Sequence, residues 1–220
     1  MTGFNWMTPR DLLAYDFLDK TALYATTTQL AELFYSRNEK GVINNSKAIC
    51  RRRMAQIQEH FPNIKSFLWQ SNSDKIYTSL PPRHNAIAVN VISHSLKLVD
   101  LYIQINNYAL THGNKIYNVL FESKLASGIL PDIILTYIID NKARIFFFEY
   151  DTGTEALPRI KDKLTAYENY FDKQLYLHES WQPSKIKPEL IFITPSQNRA
   201  DKINKLGGVA TTDITNALKY

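Results

Sequence analysis

Pro131-Asp132-Ile133-Ile134-Leu135-Thr136-Tyr137-Ile138-Ile139 leads into Asp140-Asn141-Lys142 and then Ala143-Arg144-Ile145-Phe146-Phe147-Phe148-Glu149-Tyr150-Asp151. Two apolar runs of strand length, rich in β-branched and aromatic residues, flank a short polar turn. This predicts two adjacent buried strands over about 130–139 and about 143–151. Upstream, about 116–122 reads as another strand. Downstream, about 155–175 reads as a long helix with Leu157, Ile160, Leu164, Tyr167 and Phe171 on its apolar stripe. A buried strand is expected over Glu189–Thr194, followed by one or two short helices. Strands and helices in this order predict an α/β chain of the α+β kind, with a mixed sheet flanked by helices.

The same stretch carries candidate chemistry. Side chains two apart on a strand share a face, so Glu149 and Asp151 point the same way. A neighbouring strand can bring Asp132 beside them. Carboxylates converging at strand ends are hard oxygen ligands suited to Mg²⁺ or Mn²⁺. A metal there would polarise a phosphate oxygen and lower the pKa of a bound water. The competing reading is structural, with Glu149 paired to Lys163 to hold the helix on the sheet. Thr152-Gly153-Thr154-Glu155 then reads as a helix start, with Thr152 or Thr154 as cap and Glu155 complementing the dipole. The same turn could also present N–H groups to a phosphate.

The first eighty residues have a different pattern. Thr8-Pro9 opens a helix to about Lys20, with Thr8 as cap. Thr26-Thr27-Thr28 opens a second, and Asn38-Glu39-Lys40-Gly41 is a turn. A third helix reads from about Asn45 to His60 and ends at Phe61-Pro62. Ile64–Gln70 and Lys75–Leu80 read as a hairpin around Ser71-Asn72-Ser73-Asp74. Three helices and a hairpin are the order of a winged helix-turn-helix, whose third helix reads the major groove. Ser46, Lys47, Arg51, Arg52 and Arg53 would then contact phosphates and base edges, with Lys65 and Lys75 on the wing touching backbone. Adjacent helical residues are about 100° apart, so two of the three arginines are expected on DNA and one in a pair or in solvent. A protein-interaction helix bundle is the plainer alternative for this region.

Pro81-Pro82-Arg83 reads as a linker. The expected domains are therefore 1–82 and 83–220, joined by a helix from His84 to about Asn107. Net charge is +5, which allows an anionic partner without requiring one. The single cysteine, Cys50, excludes an intramolecular disulfide framework and fits a reducing, cytoplasmic compartment. The first residues lack a charged region followed by an apolar one, so no signal peptide is expected. No run approaches the roughly 18 apolar residues of a membrane span. No Gly-rich phosphate loop, nucleophile elbow or paired histidines at ligand spacing occur.

Pro131-Asp132, Glu149-Tyr150-Asp151-Thr152-Gly153-Thr154-Glu155, and Lys163 with Tyr167 four residues on together resemble the plasmid replication-relaxation family. The resemblance implies an N-terminal winged helix and double-stranded DNA as partner. It also places Glu122 as the upstream glutamate of that family's pattern. The second half further resembles the PD-(D/E)xK nuclease superfamily. That likeness implies Asp132, Glu149, Asp151 and Lys163 as catalytic residues, and Asp132, Glu149, Asp151 and Glu122 as ligands of Mg²⁺ or Mn²⁺. The chain departs from it where Asp151 stands in place of the usual motif lysine, leaving Lys163 on the next helix to supply an ammonium. Two functions follow as expectations. One is a DNA-binding protein of plasmid or mobile-element replication or relaxation that nicks DNA with a divalent metal. The other is a non-catalytic regulator using the nuclease-like fold for dimerisation or to recruit a replication or mobilisation protein.

Overall fold

The computed structural model describes residues 6–38, 41–42, 45–68, 74–80, 86–182 and 185–219. The expected hairpin residues Ser71, Asn72 and Ser73, the turn residues Glu39 and Lys40, and the Pro81-Pro82-Arg83 linker lie outside them. The chain divides into two compact units, Met1–Ile103 and Gln104–Tyr220.

The first unit opens with helix α1, Pro9–Asp16, which runs into a wider π-type turn over Phe17–Thr21. Thr8 is its N-cap, and the Asp11 carboxylate accepts from both the Thr8 N–H and hydroxyl at 2.6 Å. A two-residue strand, β1 (Ala25–Thr26), precedes α2 (Thr27–Leu30), which also widens into a π-type turn, Ala31–Tyr35. Thr26 and Gln29 cap α2 reciprocally: the Thr26 hydroxyl accepts from the Gln29 N–H at 3.1 Å, and Gln29 Oε1 accepts from the Thr26 N–H at 2.9 Å. Short strands β2 (Arg37–Asn38) and β3 (Gly41–Val42) pair across the expected turn. Helix α3, Ser46–His60, buries Cys50, Met54 and Ile57 at helical spacing and stops before Pro62.

Strands β4 (Lys65–Leu68) and β5 (Lys75–Thr78) form the expected antiparallel pair. The sheet has a third member: β1 joins β5 with Ala25 opposite Tyr77, giving the order β1-β5-β4. Asp74, just before β5, accepts from the Thr28 N–H at 3.1 Å and from the Thr28 hydroxyl, fastening the sheet to the start of α2. Helix α4 spans Ala86–His112, one turn longer than its apolar pattern predicts. Gln29 Nε2 donates to the Leu96 carbonyl at 2.8 Å and to Asp100 at 2.7 Å, holding α2 on the α4 residues of this unit.

The second unit is built on β6 (Lys115–Phe121), β7 (Ile133–Ile139), β8 (Lys142–Tyr150), α5 (Leu157–Asp172), β9 (Glu189–Ile193), α6 (Gln197–Lys205), β10 (Ala210–Thr211) and α7 (Ile214–Leu218). The sheet order is β10-β9-β8-β7-β6. Strands β6, β7 and β8 are antiparallel neighbours, whereas β8–β9 and β9–β10 pair in parallel across α5 and α6. Asp140 and Asn141 both have positive φ (49° and 61°), the conformation of a two-residue primed turn that matches the twist of the strands it joins. Strands β7 and β8 are covered on both faces, so their residues read as continuous apolar runs. Ile134, Ile145 and Phe147 pack against Tyr167 and Tyr170 of α5, while Phe146 and Phe148 stack at 5.5 Å on the other face.

Candidate functional site

Strand alternation places Glu149 on the α5 face with Ile145 and Phe147. Register sets Ile133 opposite Phe148, so Asp132 falls beside the Glu149 end of β8. Asp132 Oδ2 accepts from the Tyr150 N–H at 2.6 Å, and its carbonyl accepts from the Glu122 N–H at 3.0 Å. Helix α5 then lays Lys163 and Tyr167, one turn apart, over Glu149. Lys163 Nζ donates to Glu149 Oε2 at 2.8 Å, and the Tyr167 hydroxyl donates to Oε1 at 2.5 Å. Glu155 lies 3.7 Å from the same ammonium.

The helix starts later than the Thr152-Gly153-Thr154 signal predicts. Its N-cap is Ala156, with no side-chain cap and Pro158 in the first turn, while Thr152 and Thr154 hydrogen-bond to each other at 2.8 Å. That correction leaves Glu155 ahead of the helix, where it faces Lys163.

Glu149 is 2% exposed. Burial, reinforced by the Asp132 charge, pushes its carboxyl up to about 7 against the pull of Lys163 and Tyr167. Burial works against the Lys163 ammonium, but Glu149, Asp132 and Glu155 outweigh it and raise its pKa. Tyr167 is raised by burial and by Glu149, so it remains a neutral hydroxyl donor. Asp132, Glu149, Glu155, Arg159, Asp162, Lys163 and Tyr167 line a cleft of about 580 Å³, with Ile129, Leu130 and Ala166 as apolar wall.

Asp151 is placed elsewhere. It follows the end of β8 and pairs with Arg199 of α6 (Nε to Oδ2 2.5 Å, Nη2 to Oδ1 3.2 Å), and its Oδ1 also accepts from the Gly153 N–H at 3.0 Å. Arg199 also donates to the Glu155 carbonyl at 2.5 Å. This bidentate clasp ties the β8 end to α6 and occupies both Asp151 oxygens. Arg199 gave no advance signal, because it lies 48 positions from Asp151 in a polar helix.

These donors decide whether the residues fit Mg²⁺ or Mn²⁺. Both Glu149 oxygens and both Asp151 oxygens already accept from protein donors, and Asp132 Oδ2 accepts from a backbone N–H. Among the described residues, no group of three or more His, Cys, Asp or Glu is arranged to hold a metal ion. The carboxylates do not fit a divalent ion in this arrangement.

In the first unit, Lys47, Arg51 and Arg52 are exposed on α3, and Ser46 is half-buried at its first turn. Lys65 and Lys75 are exposed at the starts of β4 and β5. Arg53 turns inward. It forms a two-pronged pair with buried Asp11 (Nε to Oδ1 3.0 Å, Nη2 to Oδ2), donates to the Gln56 side chain at 2.7 Å and to the Trp6 carbonyl at 2.8 Å, and sits over the Trp6 ring. It is therefore the arginine of the run that pairs internally, and it fastens α3 to α1.

Fold and site together define an α+β protein whose first unit carries a three-stranded antiparallel sheet with helices and whose second unit is a five-stranded mixed sheet with a cleft centred on a Glu–Lys–Tyr cluster. Residues 75–181 match the model of the replication-relaxation family. This stretch holds Glu122, Asp132, Glu149, Asp151, Lys163 and Tyr167, whereas Arg53 and Arg199 fall outside it. No curated protein and no solved structure matches the chain. Among the described residues, no helix is long and apolar enough to cross a membrane.

Proposed function

We propose that the protein acts in replication or relaxation of a plasmid or mobile element by binding double-stranded DNA through a winged-helix-like first unit. The observation that carries this reading is the α3 surface: Lys47 and Arg51 are one turn apart, Arg52 is beside them, and all three are exposed while Arg53 is directed inward. Lys65 and Lys75 supply further cations on the β4–β5 pair. Each cation that neutralises a phosphate releases counterions and steepens the salt dependence of binding. Duplex affinity measured from 50 to 200 mM salt is the test. Arg51→Ala with Arg52→Ala should weaken binding and flatten the slope of log K against log salt by about 2. Unchanged binding removes the reading. Weak, salt-insensitive binding by the unaltered chain favours a protein-interaction bundle instead.

We assign the second unit the role of a platform, for a second copy of the chain or for a replication or mobilisation protein. What supports this is the occupation of Glu149 and Asp151 by Lys163, Tyr167 and Arg199. The cleft beside Asp132 and Glu149 keeps metal-assisted nicking as the competing reading. Supercoiled plasmid incubated with Mg²⁺ or Mn²⁺ separates the two. The platform reading expects intact plasmid. Nicking by the unaltered chain that is lost in Asp132→Ala/Glu149→Ala would overturn it.

A further inference from the structure

The three exposed cations of α3 do not share one direction. Successive helical residues turn by about 100°, so the buried positions Cys50, Met54 and Ile57 define one face, and Ala48, Arg52, Ala55 and Glu59 fall within about 50° of the opposite crest. All four crest residues are exposed. Arg51 lies about 90° away from that crest, on one flank, with Lys47 a turn before it on the same side. That flank is turned toward β5: burial raises the Tyr77 hydroxyl, and the Arg51 charge is among the influences that oppose the rise. Lys75 opens the same strand. The flank thus carries Lys47 and Arg51 beside the cation of β5, whereas the α3 crest carries one arginine between two alanines.

We propose that Arg52 is the base-reading residue of the α3 surface, its guanidinium set for the O6 and N7 of a guanine in the major groove, while Lys47 and Arg51 hold phosphates. The inference rests on the DNA-binding reading above and deepens it. A side chain on the crest of a helix is the first to reach the floor of a groove, and side chains a quarter-turn round meet the strands that border it. Alanine four residues before Arg52 and three after it leaves only methyl groups beside it on the helix surface. The helix backbone can therefore come close to the base edges, and those methyls can meet the methyl of thymine. A guanidinium presents two parallel donors, and guanine presents two acceptors side by side on its major-groove edge. Glu59 puts an anion at the far end of the crest, where it repels phosphate and confines the contact to the earlier turns of α3. Arg53, held by Asp11 and the Trp6 carbonyl, fixes the rotation of α3 about its own axis and so keeps Arg52 outermost.

Selection from a duplex pool with a randomised core, using the full chain at low and high salt and sequencing the bound fraction, tests it. The unaltered chain should enrich a G·C pair at one fixed position of its site. Arg52→Ala should lower that preference about tenfold, whereas Arg51→Ala should leave it in place and weaken all sequences alike. Each lost charge also flattens the salt slope by about 1, so base preference, not slope, tells the two arginines apart. Arg52→Gln, whose amide matches adenine, should move the preference to adenine at that position. Both arginines are exposed, so the variants should keep the melting transition of the unaltered chain. A guanine preference that survives Arg52→Ala, or that falls as far in Arg51→Ala, overturns the proposal and leaves the DNA-binding reading standing. Salt-sensitive binding with no base preference does the same. Absence of salt-sensitive binding by the unaltered chain removes both.

Discussion

Asp11 in the first unit and Glu149 in the second have closely similar surroundings. Each is almost fully buried, each accepts from a tyrosine hydroxyl, and each faces one basic side chain. Their protonation behaviour nevertheless diverges. Burial pushes Asp11 up, but the Arg53 guanidinium, both Thr8 donors and Tyr35 outweigh it and hold its carboxyl at about 2. Burial and Asp132 drive Glu149 the other way. Asp11 receives two Arg53 bonds in a fork, two from Thr8 and one from Tyr35, whereas Glu149 receives one each from Lys163 and Tyr167 and has a second carboxylate nearby. A buried acid with every lone pair matched works as a staple. A buried acid with fewer donors and a like charge beside it, at the wall of a cleft, keeps a labile proton.

The largest expected effect is on the staple. Arg53→Ala strands Asp11 without its cation and should cost the first unit about 3–5 kcal/mol in denaturant unfolding. A loss under about 1 kcal/mol would break the comparison, since so small a value belongs to an exposed pair. Lys163→Ala should cost the second unit less, about 1–2 kcal/mol, because Glu149 can take up a proton once its partner is gone. Equal losses at the two sites would show that the two acids are equivalent after all.

Acidity sharpens the contrast, and the signs are opposite. Asp11 has a folded pKa below its ordinary 3.8, so its contribution is present above that value and is lost as pH falls from about 3.8 through about 2. Glu149 has a folded pKa above its ordinary 4.5, so its contribution is full below 4.5 and is lost as pH rises through about 7. Carbon-13 shifts of the two side-chain carboxyls against pH measure both at once. A Glu149 midpoint in the ordinary carboxylate range would sink the proton-holding reading of that site.

The strands, the long helices and the central carboxylates were legible because each is announced locally. Thr8-Pro9 and Thr26 mark their helix starts, and the apolar runs up to Ile139 and Tyr150 read as buried strands from their length and their β-branched and aromatic content. What escaped depends on pairing over distance. Asp11 looks like an ordinary first-turn acid, and its partner Arg53 lies 42 residues away in a run that resembles a solvated face. Strand β1 is two residues long, too short for any periodicity, and exists because β5 offers it an edge. Strand β10 is equally short and joins β9 in the same way. Tyr167 sits in an apolar stripe, so its hydroxyl bond to Glu149 does not show in the pattern. The Thr-Gly-Thr signal named the wrong cap because those threonines bond to each other rather than to α5.

The Asp151–Arg199 clasp has a kinetic meaning. Strands β7 and β8 meet across a two-residue turn, so their contacts are local and can form early. The clasp joins residues 48 apart and requires β9 and α6 to be in place first. Interactions formed after the folding barrier act on the rate of escape from the native state and leave the rate of arrival nearly untouched. In stopped-flow kinetics, an Arg199 substitution should therefore shorten the lifetime of the second unit while its refolding limb stays in place, making this ion pair a latch on persistence rather than a guide to assembly.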